Sequence, residues 1–285
     1  EVDIVCIETP PSTHKFFVME AIKKNMGIIC EKPLALNLRE AKLMTKTVKK
    51  KKLFACVNHQ LRFYPNIVKM KQLLDKKYLG KINYISINHH TDMIDEKNDD
   101  SWWFNGKLAG GQLYALGSHL IDLIQFLNGK IRRLTSYQGN FTKMKKFKKM
   151  IWKKKIDTYF AMICEFSNGS LGTINTSCIT NVDNGLNIIV SGEKRTLKLV
   201  NFENLFLYDS NGLKKNISVI DKLKPRKVIG LNPWRTSLVY YLKHINLAFK
   251  TKKNFFGASF EDGLETQKIL KNVFISSKEK KFKKI

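Results

Sequence analysis

Three short apolar runs alternate with two helical patterns over residues 2–57, and this alternation restricts the fold more than any other feature of the chain. Val2-Asp3-Ile4-Val5-Cys6-Ile7 has the continuous apolar character of a buried parallel strand. It runs into Glu8-Thr9-Pro10-Pro11-Ser12-Thr13-His14, whose prolines stop a strand. Ser12 or Thr13 is then placed to cap a helix carrying Phe16, Phe17, Met19, Ala21 and Ile22. Ile28-Ile29-Cys30 reads as a second strand, residues 37–50 as a second helix with Leu38, Ala41, Leu43, Met44 and Val48 inward, and residues 53–57 as a third strand. Strand and helix repeating at this pitch require right-handed crossovers and a parallel sheet. Ligands of such sheets bind beyond the carboxyl ends of the strands. Thr9, His14, Glu31, Lys32, Asn58 and His59 all fall there.

Past residue 60 the pattern changes. Arg62-Phe63-Tyr64-Pro65 leads into a helix ending near Leu74. Strand-like runs follow at 84–90, 134–140, 159–166, 170–179, 186–191, 196–200 and 205–208, joined by turn signals such as Ser167-Asn168-Gly169 and Asp209-Ser210-Asn211-Gly212. Hairpins of this kind build an antiparallel sheet. Residues 143–155 read as a solvated loop, and helical patterns over 233–248 and 260–276 close the chain. The expected organisation is two domains: residues 1–60, the C-terminal part of a Rossmann-type parallel sheet, and residues 61–285, a larger α+β domain on an open, mostly antiparallel sheet.

Composition narrows the class of protein. With 43% hydrophobic residues the chain builds a substantial core. No apolar run approaches the roughly 18 residues of a membrane span, and none resembles a signal peptide. The five cysteines are odd in number and widely spaced in apolar contexts, which points to buried free thiols, a reducing cytoplasm and no metal site. The net charge of +27 raises the question of nucleic acid. The lysine runs at 49–52, 143–155 and 278–284 contain no arginine and accompany no nucleic-acid motif, so anionic small molecules are the better expectation.

Residues 110–122 carry the clearest chemistry. Leu113, Leu116, Leu120, Ile124 and Leu127 recur at the spacing of one buried helical face, while Ala115, His119 and Asp122 align on an adjoining one. Gly117 lowers helix stability by roughly 1 kcal/mol against alanine, which implies that something approaches it closely.

Taken in order, Thr9-Pro10-Pro11-Ser12-Thr13-His14, Glu31-Lys32-Pro33-Leu34, the 110–122 segment and Gly257-Ala258-Ser259-Phe260-Glu261-Asp262-Gly263-Leu264 resemble the Gfo/Idh/MocA family of NAD(P)-dependent oxidoreductases, over essentially the whole chain. The resemblance implies a cofactor, NAD or NADP, and hydride transfer to or from a CH–OH carbon of a sugar, cyclitol or sugar derivative. It makes Lys32 and His119 the catalytic pair. Lys32 would stabilise an alkoxide or accept a proton, and His119, titrating near neutrality, would accept and return one. It assigns Thr9, Pro10, His14, Glu31, Lys32 and Asn58 to the cofactor, and Arg62, Tyr64, Trp103, Tyr114 and Asp122 to a carbohydrate-like substrate, with Trp102 beside them. Pro33 would follow a cis peptide bond, as in relatives.

Two departures qualify the match. None of the sixteen glycines takes the Gly-x-Gly-x-x-Gly spacing that holds a pyrophosphate, so the chain reads as an amino-terminally truncated fragment, inactive as given and with an exposed sheet edge. Many relatives also carry an aspartate where this chain has Ala115; Asp122, Tyr114 or Gln112 would have to compensate, with His59 and the His89-His90 pair as further candidates. A non-enzymatic, dinucleotide-sensing or partner-binding protein is the alternative. Apolar residues alternating on the open sheet, such as Ile163 and Ile174, suit a homo-oligomer, dimer or tetramer.

Overall fold

The computed structural model describes residues 2–92, 102–141, 156–220, 232–251 and 256–285; the loop expected at 143–155 lies outside them. The amino-terminal alternation folds as read: β1 (Ile4–Ile7), α1 (Pro11–Lys23), β2 (Gly27–Cys30), α2 (Leu38–Lys51) and β3 (Ala55–Val57). The three strands pair in parallel, β1 with β2 and β2 with β3. Local signals set the helix boundaries. Helix α1 begins with Pro11 in its first turn and has no side-chain cap, so Ser12 and Thr13 do not serve as expected. Proline fills that role because its fixed φ suits the first turn and its missing N–H is not needed there. In α2 the Asn37 side chain accepts from the Glu40 amide at 3.0 Å.

The rest of the chain forms α3 (Pro65–Asp75), β4 (Ile82–His90), α4 (Ser118–Asn128), β5 (Ile131–Gly139), β6 (Tyr159–Phe166), β7 (Leu171–Ser177), β8 (Gly185–Gly192), β9 (Thr196–Val200), β10 (Asn204–Tyr208), β11 (Lys214–Asn216), α5 (Pro233–Thr251), β12 (Ala258–Ser259), α6 (Phe260–Glu279) and β13 (Lys283–Lys284). Among the described residues nine strands make the second sheet, in the order β11-β10-β9-β8-β4-β7-β6-β5-β13. Every pair in it is antiparallel except β4 with β7. The chain also returns to the first sheet, where β12 adds antiparallel to β3. That two-residue strand, like β11 and β13, is too short to register as an alternating run.

One face of the large sheet carries Phe160, Met162, Ile174, Ile188 and Val190 into a core shared with α3, α4 and α6. Ile174 is 1% exposed on that inner face, whereas Ile163 is 54% exposed on the outer one. The two isoleucines were expected to share a face. Strand pairing decides otherwise, because Ile174 stands opposite Met162 and Ile163 opposite Thr173. Among the cysteines, Cys30, Cys56, Cys164 and Cys178 are buried and Cys6 is exposed, a correction that follows from its outward position in the border strand β1. No described helix is long and apolar enough to cross a membrane.

The 110–128 helix departs from the expected regular geometry. Its first part, Leu113–Gly117, is a π-helical turn that passes into α4 at Ser118. Phe160 packs against Gly117 so tightly that a Cβ there would stand 2.3 Å from Cε1 of the ring. Replacing Gly117 with alanine forces overpacking against a ring with no room to move, at about 1–3 kcal/mol. That outweighs the roughly 1 kcal/mol of helix propensity alanine brings. Gly117→Ala is therefore expected to lower the urea midpoint; an unchanged or higher midpoint would contradict this packing.

Candidate active site

The carboxyl ends of the first sheet's strands are tied together by side chains on the turns that follow them. Asn58 donates from Nδ2 to Glu31 Oε1, and the Lys32 amide donates to Glu31 Oε2 at 3.2 Å. Glu31 therefore clips the end of β3 to the backbone that presents Lys32. His14 is 0% exposed and bridges two loops. Its Nε2 lies 2.8 Å from Thr9 O, and its Nδ1 lies 3.1 Å from Pro33 O and 3.2 Å from Leu34 O. Burial lowers its pKa despite the carbonyls around it. Pro10 is the N-cap residue of α1, and the hydroxyls of Thr9 and Thr13 meet at 2.7 Å. The Lys32–Pro33 peptide is cis.

From this scaffold Lys32 reaches across to the π-helical turn, where its Nζ donates to Ala115 O at 2.7 Å. A π turn shifts backbone bonding out of α-helical register and is a common feature of functional sites. Lys32 Nζ also stands 5.9 Å from the centre of the Trp102 ring. One turn beyond Ala115, His119 is 3% exposed, with Trp234 at 5.3 Å and His59 at 5.5 Å between ring centres. Burial, followed by the charges of Lys32, His59 and His89, pushes the His119 pKa well below its ordinary value. This corrects the expected titration near neutrality: the imidazole is neutral at pH 7, an acceptor on one nitrogen and a donor on the other.

The residues expected to bind substrate divide. Arg62 and Asp122 bind each other. Arg62 Nε donates to Asp122 Oδ2 at 2.8 Å and Nη2 to Oδ1 at 2.5 Å, with Asp262 3.6 Å from Nη1. Burial opposes the guanidinium charge, but the charges of Asp122 and Asp262 outweigh it and raise the Arg62 pKa. Tyr64 is 4% exposed and packs on Phe202 in the core. Tyr114, half-buried, lines a separate pocket of about 410 Å³ with Asp157, Gln138 and Phe274. Trp103 is half-buried with its ring 6.4 Å from that of Trp102, and the Trp102 ring centre lies 5.9 Å from Lys32 Nζ. Of the proposed substitutes for a carboxylate at position 115, Gln112 donates to Thr176 at 2.7 Å and Asp122 is taken by Arg62.

A cleft of about 990 Å³ is lined by Arg62, Asp122, Phe126 and Asp262 among others, and by neither Lys32 nor His119. Arg62 and Asp122 in its lining already pair with each other. Sequence reasoning missed Trp234, which lies more than 100 residues from either member of the pair and belongs to no motif.

Asp157 supports the π turn from outside, its Oδ2 accepting from the Leu113 amide at 2.8 Å. Gly111 at φ +101° lets it approach, since a Cβ there would lie 2.3 Å from Asp157 Oδ1. Burial raises the Asp157 pKa to about 6, against the hydrogen bonds that lower it.

Two models of one family match the chain: "Oxidoreductase family, NAD-binding Rossmann fold" over residues 1–59 and "GFO/IDH/MocA C-terminal domain" over residues 67–198. The chain belongs to the Gfo/Idh/MocA family of oxidoreductases, and its cofactor class is the nicotinamide dinucleotides. Glucose-6-phosphate 3-dehydrogenase of Bacillus subtilis is 26% identical over 280 residues, covering 94% of this chain and 77% of that protein. Glucose-fructose oxidoreductase domain-containing protein 1 of Xenopus tropicalis is 31% identical over 130 residues, a match that spans 46% of this chain and only 33% of the relative. In fold, the chain superposes on levoglucosan dehydrogenase in complex with NADH and levoglucosan at a TM-score of 0.83 and 19% identity, covering 99% of this chain and 80% of that one.

The described residues fit the redox end of such a cofactor. Asn58 Oδ1, both ring nitrogens of His59 and His119 Nδ1 are buried without hydrogen-bond partners. Unpaired polar atoms gathered at the strand ends mark a place where polar groups arrive.

The Asp157 titration predicts a pH effect. Its folded pKa, about 6, lies above the ordinary aspartate value, so the folded state holds the proton more tightly. Stability from this group is present at about pH 4 and is lost as pH rises through about 6, by roughly 2–3 kcal/mol. Asp157→Asn keeps an acceptor for Leu113 and does not titrate. Urea unfolding at pH 4 and pH 7 is expected to show the variant gaining on the wild type at the higher pH; a pH-independent difference would contradict the assignment.

Proposed function

We propose that Lys32 and His119 form the proton-handling pair of an NAD(P)-dependent dehydrogenase acting on a CH–OH carbon of a sugar, cyclitol or sugar derivative. The observation that carries this reading is the bond from Lys32 Nζ to Ala115 O. It brings the residue after a parallel strand's end to the turn that presents His119, at the place where sheets of this kind bind ligands. The nicotinamide supplies the acceptor or donor of the hydride. The protein's own residues manage the hydroxyl. The Lys32 ammonium stabilises negative charge developing on the oxygen, and the neutral His119 imidazole takes its proton as the carbonyl forms and returns it in the reverse direction. Trp102 and Trp234 offer aromatic faces to the apolar side of a ring substrate. Thr9, Pro10, His14, Glu31 and Asn58 hold the loops against which the dinucleotide rests. In this reading Arg62, Asp122 and Tyr64 support the site from behind.

The test is turnover by the full-length protein with NAD⁺ and NADP⁺ against a panel of D-glucose, glucose 6-phosphate, levoglucosan and myo-inositol. Glucose 6-phosphate and levoglucosan are the sugars of the Bacillus subtilis relative and of the levoglucosan dehydrogenase above. Lys32→Ala and His119→Phe are each expected to lower kcat by about 100-fold or more, with NADH binding retained. A Lys32→Ala protein that turns over like the wild type would overturn the reading.

We also infer a homo-oligomer built on the outer face of the large sheet. Tyr137, Ile163 and Leu171 are 57%, 54% and 53% exposed there on three adjacent strands. Ile163→Asp is expected to reduce the mass measured by light scattering to that of one chain; an unchanged assembly would remove this face as the contact.

A further inference from the structure

His59 lies two residues past the end of β3, beside the strand ends that carry Lys32. It is 1% exposed, and neither Nδ1 nor Nε2 has a hydrogen-bond partner. A buried ring with two unpaired nitrogens is unfavourable, and phenylalanine would fill the same volume without that penalty. What surrounds the ring is specific. It stands edge-on to His119, with centres 5.5 Å apart and planes at 82°. On another side its Nε2 lies 4.0 Å from Asp122 Oδ1, and Asp122 is itself fixed by Arg62. His119 needs such a neighbour. Its Nδ1 is buried and unpartnered, and one turn earlier its own helix offers only the methyl group of Ala115.

We propose that His59 is a positioning residue that fixes the tautomer and plane of the His119 ring, connecting it to the buried Asp122–Arg62 pair. The carboxylate beside Nε2 favours a hydrogen there, which leaves His59 Nδ1 as an acceptor. The unpartnered Nδ1 of His119 belongs to a ring whose centre is 5.5 Å from that of His59, and pairing with this acceptor selects the tautomer with hydrogen on Nδ1. The Nε2 of His119 is then the basic nitrogen. The 4.0 Å between His59 Nε2 and Asp122 Oδ1 is longer than a hydrogen bond, as contacts around a reacting group often are before substrate arrives. Asn58 on the adjoining position is clipped to Glu31, so the segment carrying His59 is held while the ring tightens on its neighbours.

The kinetic half of this inference rests on the hydride-transfer reading of Lys32 and His119; the structural half does not. The test compares the full-length wild type, His59→Phe and His59→Gln. Imidazole ¹⁵N shifts of His119 are expected to report the Nδ1–H tautomer in the wild type, a mixture of tautomers in His59→Phe, and recovery in His59→Gln, whose amide retains an acceptor. On the substrate taken from the panel above, His59→Phe is expected to lower kcat by about 10- to 100-fold, with KM and NADH affinity within about twofold. His59→Gln is expected to recover part of the loss. If the phenylalanine variant does not fold, a wild-type protein with His119 on the Nε2–H tautomer suffices to overturn the proposal. So does an identical tautomer in wild type and His59→Phe, or a change confined to KM. Should Lys32→Ala prove fully active, the hydride-transfer reading falls while the tautomer comparison still decides the role of His59.

Discussion

The buried ion pair between Arg62 and Asp122 is the constraint on which the site depends. Arg62 lies in the short turn after β3, Asp122 lies on α4 one turn past His119, and Asp262 at the start of α6 stands 3.6 Å from the same guanidinium. Three segments from the two sheets' territories therefore meet on one cation. An isolated charge is strongly unfavourable at such depth, so the bidentate geometry and the added carboxylate are conditions for burying it at all. Asp262 is held in turn by a capping box, its Oδ2 accepting from the Ser259 amide at 2.8 Å, which fixes where α6 begins. The consequence for function is the direction of α4, and with it the place of His119 opposite the strand ends.

Lys32 is fixed from the other side by different means. The His14 ring and the Glu31 carboxylate brace the loops after β1 and β2, and the lysine then spans the remaining gap to the Ala115 carbonyl. One part of the site is thus set by an ion pair in the core and the other by hydrogen bonds among loops. The π turn between them accommodates both, supported from behind by Asp157 and packed on Phe160 through Gly117. Neutral histidines gather where these supports converge: His59, His89 and His119 all have pKa values lowered chiefly by burial. The Lys32 ammonium therefore stands among imidazoles that burial keeps neutral.

Much of this was legible in the sequence because it rests on local patterns. Apolar runs and proline breaks mark the parallel strands, and the strand ends bring Lys32, Glu31, Asn58 and His14 together from the sequence alone. What was not legible depends on partners distant in the chain. The sequence assigns Arg62 and Asp122 to the substrate, and only the fold reveals that they neutralise each other across 60 positions. Tyr114 lines a pocket with Asp157, Gln138 and Phe274, on a π turn that regular helical spacing does not anticipate. His119 kept its place but not its expected basicity, since burial and the Lys32 charge are properties of the assembled site. Ile163 and Ile174 illustrate the same limit in a sheet: the faces follow from strand register, which the hairpin turns fix and an alternating pattern alone does not.

The most direct measurement is a double-mutant cycle on the ion pair by urea unfolding, using Arg62→Met, Asp122→Leu and the two together. If the pair holds α4 in place, each single change strands a buried charge and lowers stability by about 3–5 kcal/mol. The double variant then recovers on the order of 2–3 kcal/mol relative to the sum of the single losses. Losses that simply add, within about 0.5 kcal/mol, would mean that the two residues act independently and that something else sets the position of His119.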